Sequence, residues 1–340
     1  MSFKNILGHK RPITLLQRAI ENEKVVNSYL FLGNEGIGKK YVALQFAKAL
    51  NCLGEEAERG DACDHCSSCR KIDHSLHPDV LLIEPEGQNI RVDQVRQLQR
   101  ALAYRPYEGR RRVCILTAAD RMAPNMSNIL LKTLEEPPLH TVIVLLANNS
   151  RWILPTILSR CQMVRFNPLP VPLVSGWLTE TKGLPEKEAS LLASLSEGSP
   201  GKALEIQEEI RQIQREELLK DWMGQKSLSP ERIGSWVGLL PAERESLLLI
   251  LDVAKTLLRD LVMMKTFKKK PNFIHSDLVP VMEPVAINWS LPSLLKRMEI
   301  LNQTALAIRA NANTGLALEA MMLSWAEGWK DDSFSFREIT

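Results

Sequence analysis

Two groups of residues in this 340-residue sequence have the types and spacing that chemistry needs. The first is Gly33-Asn34-Glu35-Gly36-Ile37-Gly38-Lys39-Lys40. Gly33 opens the loop, and Gly36 and Gly38 let backbone N–H groups come close to a phosphate. Lys39 adds a positive point charge, and a helix starting here adds its dipole. A glycine-rich turn with no ligand has the same composition. The loop counts as a phosphate site only between a strand and a helix. The second group is Cys52, Cys63, Cys66 and Cys69, spaced C-x10-C-x2-C-x2-C. Two C-x2-C steps sharing a cysteine gather three thiolates around one point, and Cys52 closes a tetrahedron. Four thiolates fill the coordination shell of Zn²⁺, so the site is read as structural. His65 lies inside the cluster as an alternative ligand, but four cysteines suffice.

The phosphate loop departs from a hydrolysing one. Ser or Thr normally follows the lysine and ligates Mg²⁺ through its hydroxyl. Here Lys40 follows, and an ammonium cannot ligate a cation. It either neutralises phosphates where the metal would sit or points to solvent. A hydrolysing site also ends a nearby strand in carboxylates that hold Mg²⁺ and polarise water. The candidate strand Val113–Leu116 runs instead into Thr117-Ala118, and Asp120 comes later, as a cap or turn residue. ATP or ADP held without turnover remains compatible with such a loop.

The elements needed to position these groups are legible. The stretch 29–33 reads as a buried strand, and 79–84, 113–117, 141–147 and 162–166 as further strands. Helical stretches at 40–51, 92–104, 124–136 and 154–159 separate them. Alternation of this kind predicts an α/β domain with a parallel sheet covered on both faces. Past Asn167-Pro168-Leu169-Pro170 the strands stop. Helices are expected at 174–181, 186–196, 200–211, 230–236, 242–264, 290–309 and 316–325. The expected domains are 1–166 with a cysteine module at about 52–70, a three-helix unit at 167–208, and a helical region at 209–340.

Composition narrows the function classes. Lys plus Arg number 43 against 40 for Asp plus Glu, so there is no global basic field. A stand-alone nucleic-acid binder is disfavoured, and any such contact is local or shared. No apolar run approaches the ~18 residues of a membrane span, and the N-terminus carries no apolar signal core. A cytoplasmic protein with no membrane partner is expected, and there clustered cysteines indicate metal.

Phe3–His9 (FKNILGH), Asn27–Phe31 (NSYLF), the phosphate loop, the cysteine cluster, Leu130–Pro138 (LLKTLEEPP) and Leu154–Cys161 (LPTILSRC) together resemble the clamp-loader subunits of bacterial DNA polymerase III. The similarity is dense over residues 3–204 and weaker beyond, where Asn311-Ala312-Asn313 and Leu318-Glu319 still fit. The delta-prime branch is the better match. The tau and gamma motor subunits carry Thr after the loop lysine, Asp-Glu at the strand end, and an arginine at a place that falls on Gly201 or Lys202 here. The resemblance implies an AAA+ domain, a lid and a collar that packs in a ring of subunits. It implies motor subunits, a delta subunit and a sliding clamp as partners, and primer–template DNA through the assembly. It also implies a place in the replisome on the bacterial nucleoid. Arg160 of Ser159-Arg160-Cys161 is implied to reach a neighbour's ATP site as an arginine finger, against a structural salt bridge as the plainer role. The alternative is an ATP-hydrolysing motor subunit of the tau/gamma kind.

Other residues carry weaker expectations. Asn148 and Asn149 end a central strand, where a turn is favoured over phosphate sensing. Arg110-Arg111-Arg112 and Lys268-Lys269-Lys270 read as solvated charge, and Cys114 as core. Glu135 and Glu136 end a helix and receive no reaction.

Overall fold

The computed structural model describes residues 2–54, 60–85, 90, 92–102, 104–122, 124–223, 237–238, 240–241, 243–267 and 273–334. Five strands form one parallel sheet: β1 (Ser28–Leu32), β2 (Val80–Ile83), β3 (Arg112–Leu116), β4 (Thr141–Ala147) and β5 (Gln162–Arg165). Their spatial order is β2-β3-β4-β1-β5. After β1 the chain crosses to the far edge and works back until β4 lies beside β1. The reversal of direction at β1 leaves a crevice at the strands' C-terminal ends, where parallel sheets bind ligands.

Period-two alternation sorts the core. Tyr29, Phe31, Val113, Ile115, Val142, Val144 and Val164 face one side and pack with Val42, Phe46 and Leu16. Those partners lie on α1 (Lys10–Glu21) and α2 (Lys39–Asn51). Leu30, Cys114, Leu116, Ile143 and Leu145 face the other side, against Val95, Leu98, Met126, Leu130 and Ile157. These come from α4 (Val92–Leu102), α5 (Pro124–Glu135) and α6 (Pro155–Leu158). Cys114 is core as expected, and burial pushes its thiol up to about 12.

Two compact units divide the chain. One is Met1–Trp177 with Glu197–Lys202, and the other is Leu178–Ser196 with Ala203–Thr340. Helices follow at α7 (Val171–Lys182), α8 (Glu186–Leu195), α9 (Pro200–Glu205), α10 (Gln207–Gln212) and α11 (Arg215–Met223). Then come α12 (Arg244–Thr266), α13 (Val279–Ile287), α14 (Leu291–Arg309) and α15 (Thr314–Phe334). In the second unit α12 is the hub, packing on α8, α11, α13 and α14. Its buried Asp260 accepts from the amide of buried His275, whose ring also meets Thr256 and Arg215.

The structure adds helices over Lys10–Glu21, Ser67–Asp73 (α3), Arg215–Met223 and Val279–Ile287, which the strand-led reading leaves out. It also splits 200–211 at Ile206, the residue that precedes α10. The expected helix at 230–236 and Lys268–Lys270 lie outside the described residues.

The loop between α4 and β3 is fixed by one wholly buried carboxylate. Asp79 accepts from the amides of Tyr107, Glu108 and Gly109 at 2.7, 2.9 and 2.8 Å, and from Arg112 Nη2 at 2.8 Å. Arg112 also donates to Ala101 O. Of the expected solvated arginine run, only Arg110 is exposed, while Arg112 is buried. Burial alone would raise the Asp79 carboxyl. The guanidinium and the three amides outweigh it and bring it to about 2. A depressed carboxyl stabilises the fold above its unfolded value, about 4, and loses that contribution as pH falls through the folded value. Asp79→Ala leaves Arg112 buried and unpaired, and should cost about 3–5 kcal/mol in urea unfolding at neutral pH. The variant should also lose the wild-type stability slope between about pH 4 and 2.

Candidate functional site

The loop Gly33–Lys39 joins β1 to α2, which is the context a phosphate loop requires. Gly36 and Gly38 hold φ of 69° and 105°, a region open to glycine. Lys39 is 8% exposed and turns its ammonium back onto the loop. It donates to Gly33 O at 2.5 Å, Asn34 O at 2.7 Å and Asn148 Oδ1 at 2.9 Å. Burial lowers it to about 8, against the pull of Asp120 and Glu35. Asn148 therefore does more than turn the chain. Its Nδ2 also reaches Glu35 Oε2 at 3.4 Å. Asn149 caps the next turn by accepting from Arg151 N.

Lys40 takes neither of the two expected positions. It forms an ion pair at 2.9 Å with Glu84, which directly follows β2. At the end of β3, Thr117 bonds back to Ile83 O through both its amide and its hydroxyl. Ala118 follows with φ 49°. Asp120 accepts from the amides of Asn148 and Asn149, so its carboxylate holds the end of β4 and not its own turn. No carboxylate ends β3, and the cation beside the loop is already paired. These positions present neither a hydroxyl after Lys39 nor a strand-end carboxylate of the kind that holds Mg²⁺.

The loop is also braced from outside. Ser199 Oγ donates to Glu35 O at 2.7 Å, and Gly201 N to Gly36 O at 2.9 Å. A Cβ on Gly201 would sit 2.7 Å from Gly36 O, so a side chain is excluded at this approach.

At the other end of α2 the four cysteine sulfurs lie within 4.8 Å of one another. A tetrahedral Zn²⁺ with bonds of about 2.3 Å needs sulfurs about 3.8 Å apart, so the set fits a small inward adjustment. Amides already point at the sulfurs: Cys63 N at Cys52 Sγ, Cys66 N at Cys63 Sγ and Cys69 N at Cys66 Sγ, at 3.3, 3.3 and 3.4 Å. Such bonds stabilise thiolate. Burial opposes ionisation of Cys66, but the amides of Cys69 and Leu53 and the neighbouring thiols bring it to about 6. His65 bonds to Cys63 O and is exposed, outside the sulfur set.

Sequence reasoning missed the cation beneath this cluster. Lys48 of α2 has a fully buried side chain and pairs with Asp64 at 2.5 Å and Asp73 at 2.8 Å. Asp64 lies between the cysteines and Asp73 ends α3, so one ammonium ties the module to the sheet domain. Its place among apolar helix positions was the available signal.

Arg160 follows α6 and is partly exposed, at 36%. Its Nη1 donates to Thr156 O at 3.0 Å and meets Ser159 Oγ at 3.3 Å. Its Nη2 pairs at 2.8 Å with Glu135, the last residue of α5. An exposed pair of this kind contributes only about 0–1 kcal/mol, a weak structural reason for the arginine. The structure brings Lys39, Lys40, Asn148 and Asp120 together around one loop, and the four cysteines into a separate cluster.

A parallel five-stranded sheet with a phosphate loop after β1 and an attached four-cysteine module defines an AAA+ domain of the clamp-loader kind. The family described as "DNA polymerase III, delta subunit" matches residues 8–170. DNA polymerase III subunit delta' of Pseudomonas aeruginosa is 31% identical over 88% of this chain and 92% of its own length. The delta' subunit of Bacillus subtilis is 37% identical over 55% of each chain, so this match spans about half of that relative. The tau subunit of Bacillus subtilis is 32% identical over 60% of this chain and 37% of its own. A solved gamma subunit-related protein of Thermotoga maritima is 21% identical, covering 94% and 99% of the two chains at a TM-score of 0.45. The chain belongs to the delta' family of DNA polymerase III subunits.

Lys48 supplies a test of the module's attachment. Lys48→Ala leaves two part-exposed carboxylates without their ammonium and should cost about 1–3 kcal/mol. Chemical denaturation at neutral pH measures it. A Lys48→Ala, Asp64→Asn, Asp73→Asn triple variant should recover part of the loss.

Proposed function

We propose that this chain is a non-hydrolysing clamp-loader subunit that donates Arg160 to the ATP site of a neighbouring motor subunit. The observation that carries this reading is the Lys40–Glu84 ion pair, standing where a metal-ligating hydroxyl belongs. Among the described residues, Thr117 and Ala118 at the strand end supply neither a second metal ligand nor a water-orienting carboxylate. Nucleotide entry would require Lys39 to exchange its loop carbonyls and Asn148 for phosphate oxygens. Binding would then depend weakly on Mg²⁺.

In this reading residues 1–166 are the AAA+ domain, 167–208 its lid and 209–340 the collar. Motor subunits of the tau/gamma kind, a delta subunit, the sliding clamp and primer–template DNA are the partners. Cytoplasmic action at the replisome follows from those partners. Cys52, Cys63, Cys66 and Cys69 would hold one Zn²⁺, which supplies a cross-link and no chemistry. Arg160 suits the trans role because a guanidinium is always charged and donates in a planar fork to a phosphate gaining charge. The tau/gamma-like alternative requires turnover by this chain's own loop.

Three measurements test these assignments. The isolated chain should show no Mg²⁺-dependent ATP turnover, and Ala118→Glu should not create it. Turnover abolished by Lys39→Ala would select the motor alternative. Metal analysis should find one zinc per chain, and Cys66→Ser should lower the melting temperature before it alters activity. In the reconstituted complex with clamp and primed DNA, Arg160→Ala should preserve assembly and slow ATP hydrolysis. Arginine fingers contribute about 10³–10⁵ in rate, less where several sites share turnover. Arg160→Lys should not rescue, since a point charge lacks the fork.

A further inference from the structure

Glu135 stands where helix stability disfavours it. It is the last residue of α5, and a carboxylate at a helix C-terminus meets the negative end of the dipole. Pro137 and Pro138 follow, so the helix cannot continue past it. Its carboxylate is about half exposed, at 48%, and its described partner is the Arg160 guanidinium at 2.8 Å. A surface pair contributes too little to explain a carboxylate kept at this end of a helix.

The pair has a definite geometry. Arg160 is held on one nitrogen, Nη1, by Thr156 O and Ser159 Oγ, both from its own α6 turn. The other nitrogen, Nη2, is held by Glu135 from α5. α5 and α6 pack together beside the sheet through Leu130, Leu134 and Ile157. Two rigid elements therefore fix the plane of the fork, one through each terminal nitrogen. A guanidinium has five N–H donors, so donors remain for an incoming oxyanion while these bonds persist. A long arginine side chain without such a partner samples many rotamers, and each must be surrendered when the fork docks.

We infer that Glu135 is a positioning residue for Arg160, fixing the guanidinium for the triphosphate of a neighbouring subunit. The inference rests on the trans-acting reading of Arg160. Glu135 need not touch the nucleotide. Its effect is on the fraction of time the fork is correctly oriented, so it acts on the rate of the bound state and not on nucleotide affinity.

The experiment is a double-mutant cycle in the reconstituted complex, with clamp and primed DNA, reading kcat and KM for ATP. Glu135→Ala should lower kcat about tenfold, as a misplaced group does, with KM within about twofold. Glu135→Gln should fall between, because its carbonyl still accepts a hydrogen bond but carries no charge. In the Arg160→Ala background, Glu135→Ala should have no further effect. Melting temperature and assembly should match wild type in each variant. A Glu135→Ala loss that adds fully to that of Arg160→Ala would assign Glu135 a separate role and overturn the inference. Unchanged or faster turnover in Glu135→Ala, with Arg160→Ala still slow, would overturn it while leaving the finger intact. Unchanged turnover in Arg160→Ala would remove the finger reading, and the inference with it.

Discussion

A nearly buried ammonium must find acceptors for its three protons, and Lys39 finds all three within its own domain. Two are carbonyls of the loop that carries it, and the third is the side chain at the end of β4. The loop's shape depends on this arrangement. Gly33 and Asn34 must turn their carbonyls inward, and Asn148 must leave β4 beside them. That adjacency requires the strand order β2-β3-β4-β1-β5, in which β4 lies next to β1. One buried cation therefore joins two strands' ends by hydrogen bonds.

The same solution recurs at the opposite end of the sheet. Lys48 joins α2 to the cysteine module through Asp64 and Asp73, and Arg112 joins β3 to the preceding loop through Asp79. The two clusters are neighbours, because Asn51 of α2 accepts from Arg111 N and Lys71 of α3 pairs with Glu108. A metal at the cysteines would thus stiffen α3, and through Lys71–Glu108 the loop before β3. Buried pairs are a poor source of net stability, but they penalise wrong arrangements heavily. Here they fix where a module and a loop attach to a sheet whose core is otherwise non-directional.

The sheet was legible because apolar runs, buried throughout in β3 and β4, recur between helical stretches, although β5 carries only Met163 and Val164 between polar ends. The metal cluster was legible because sulfur spacing is rare by chance. Polar pairing across the chain was not. Nothing local marks Lys40 as the partner of Glu84, 44 positions away, or Asp79 as that of Arg112, 33 positions away. Composition made Arg112 look solvated, and only the fold shows it buried. Helix α13 was missed for a different reason. Pro280 and Pro284 discourage a helix reading, yet Pro280 sits at the first turn, where a missing N–H costs nothing.

The loop between β1 and α2 is held by contacts that need no nucleotide. Gly36 cannot carry a side chain, since a Cβ there would lie 2.6 Å from Ser199 Oγ and 2.7 Å from Lys202 N. Gly201 cannot either, because its own backbone rests on that of Gly36. The loop's carbonyls now hold the 199–201 segment, and its lysine holds the end of β4. Removing the glycines or the lysine would damage the domain whether or not nucleotide binds. Lys40 and Glu84, by contrast, are about half exposed. Arg160 lies after β4 and α6, away from that loop in the chain, and is bonded to Glu135 and Thr156.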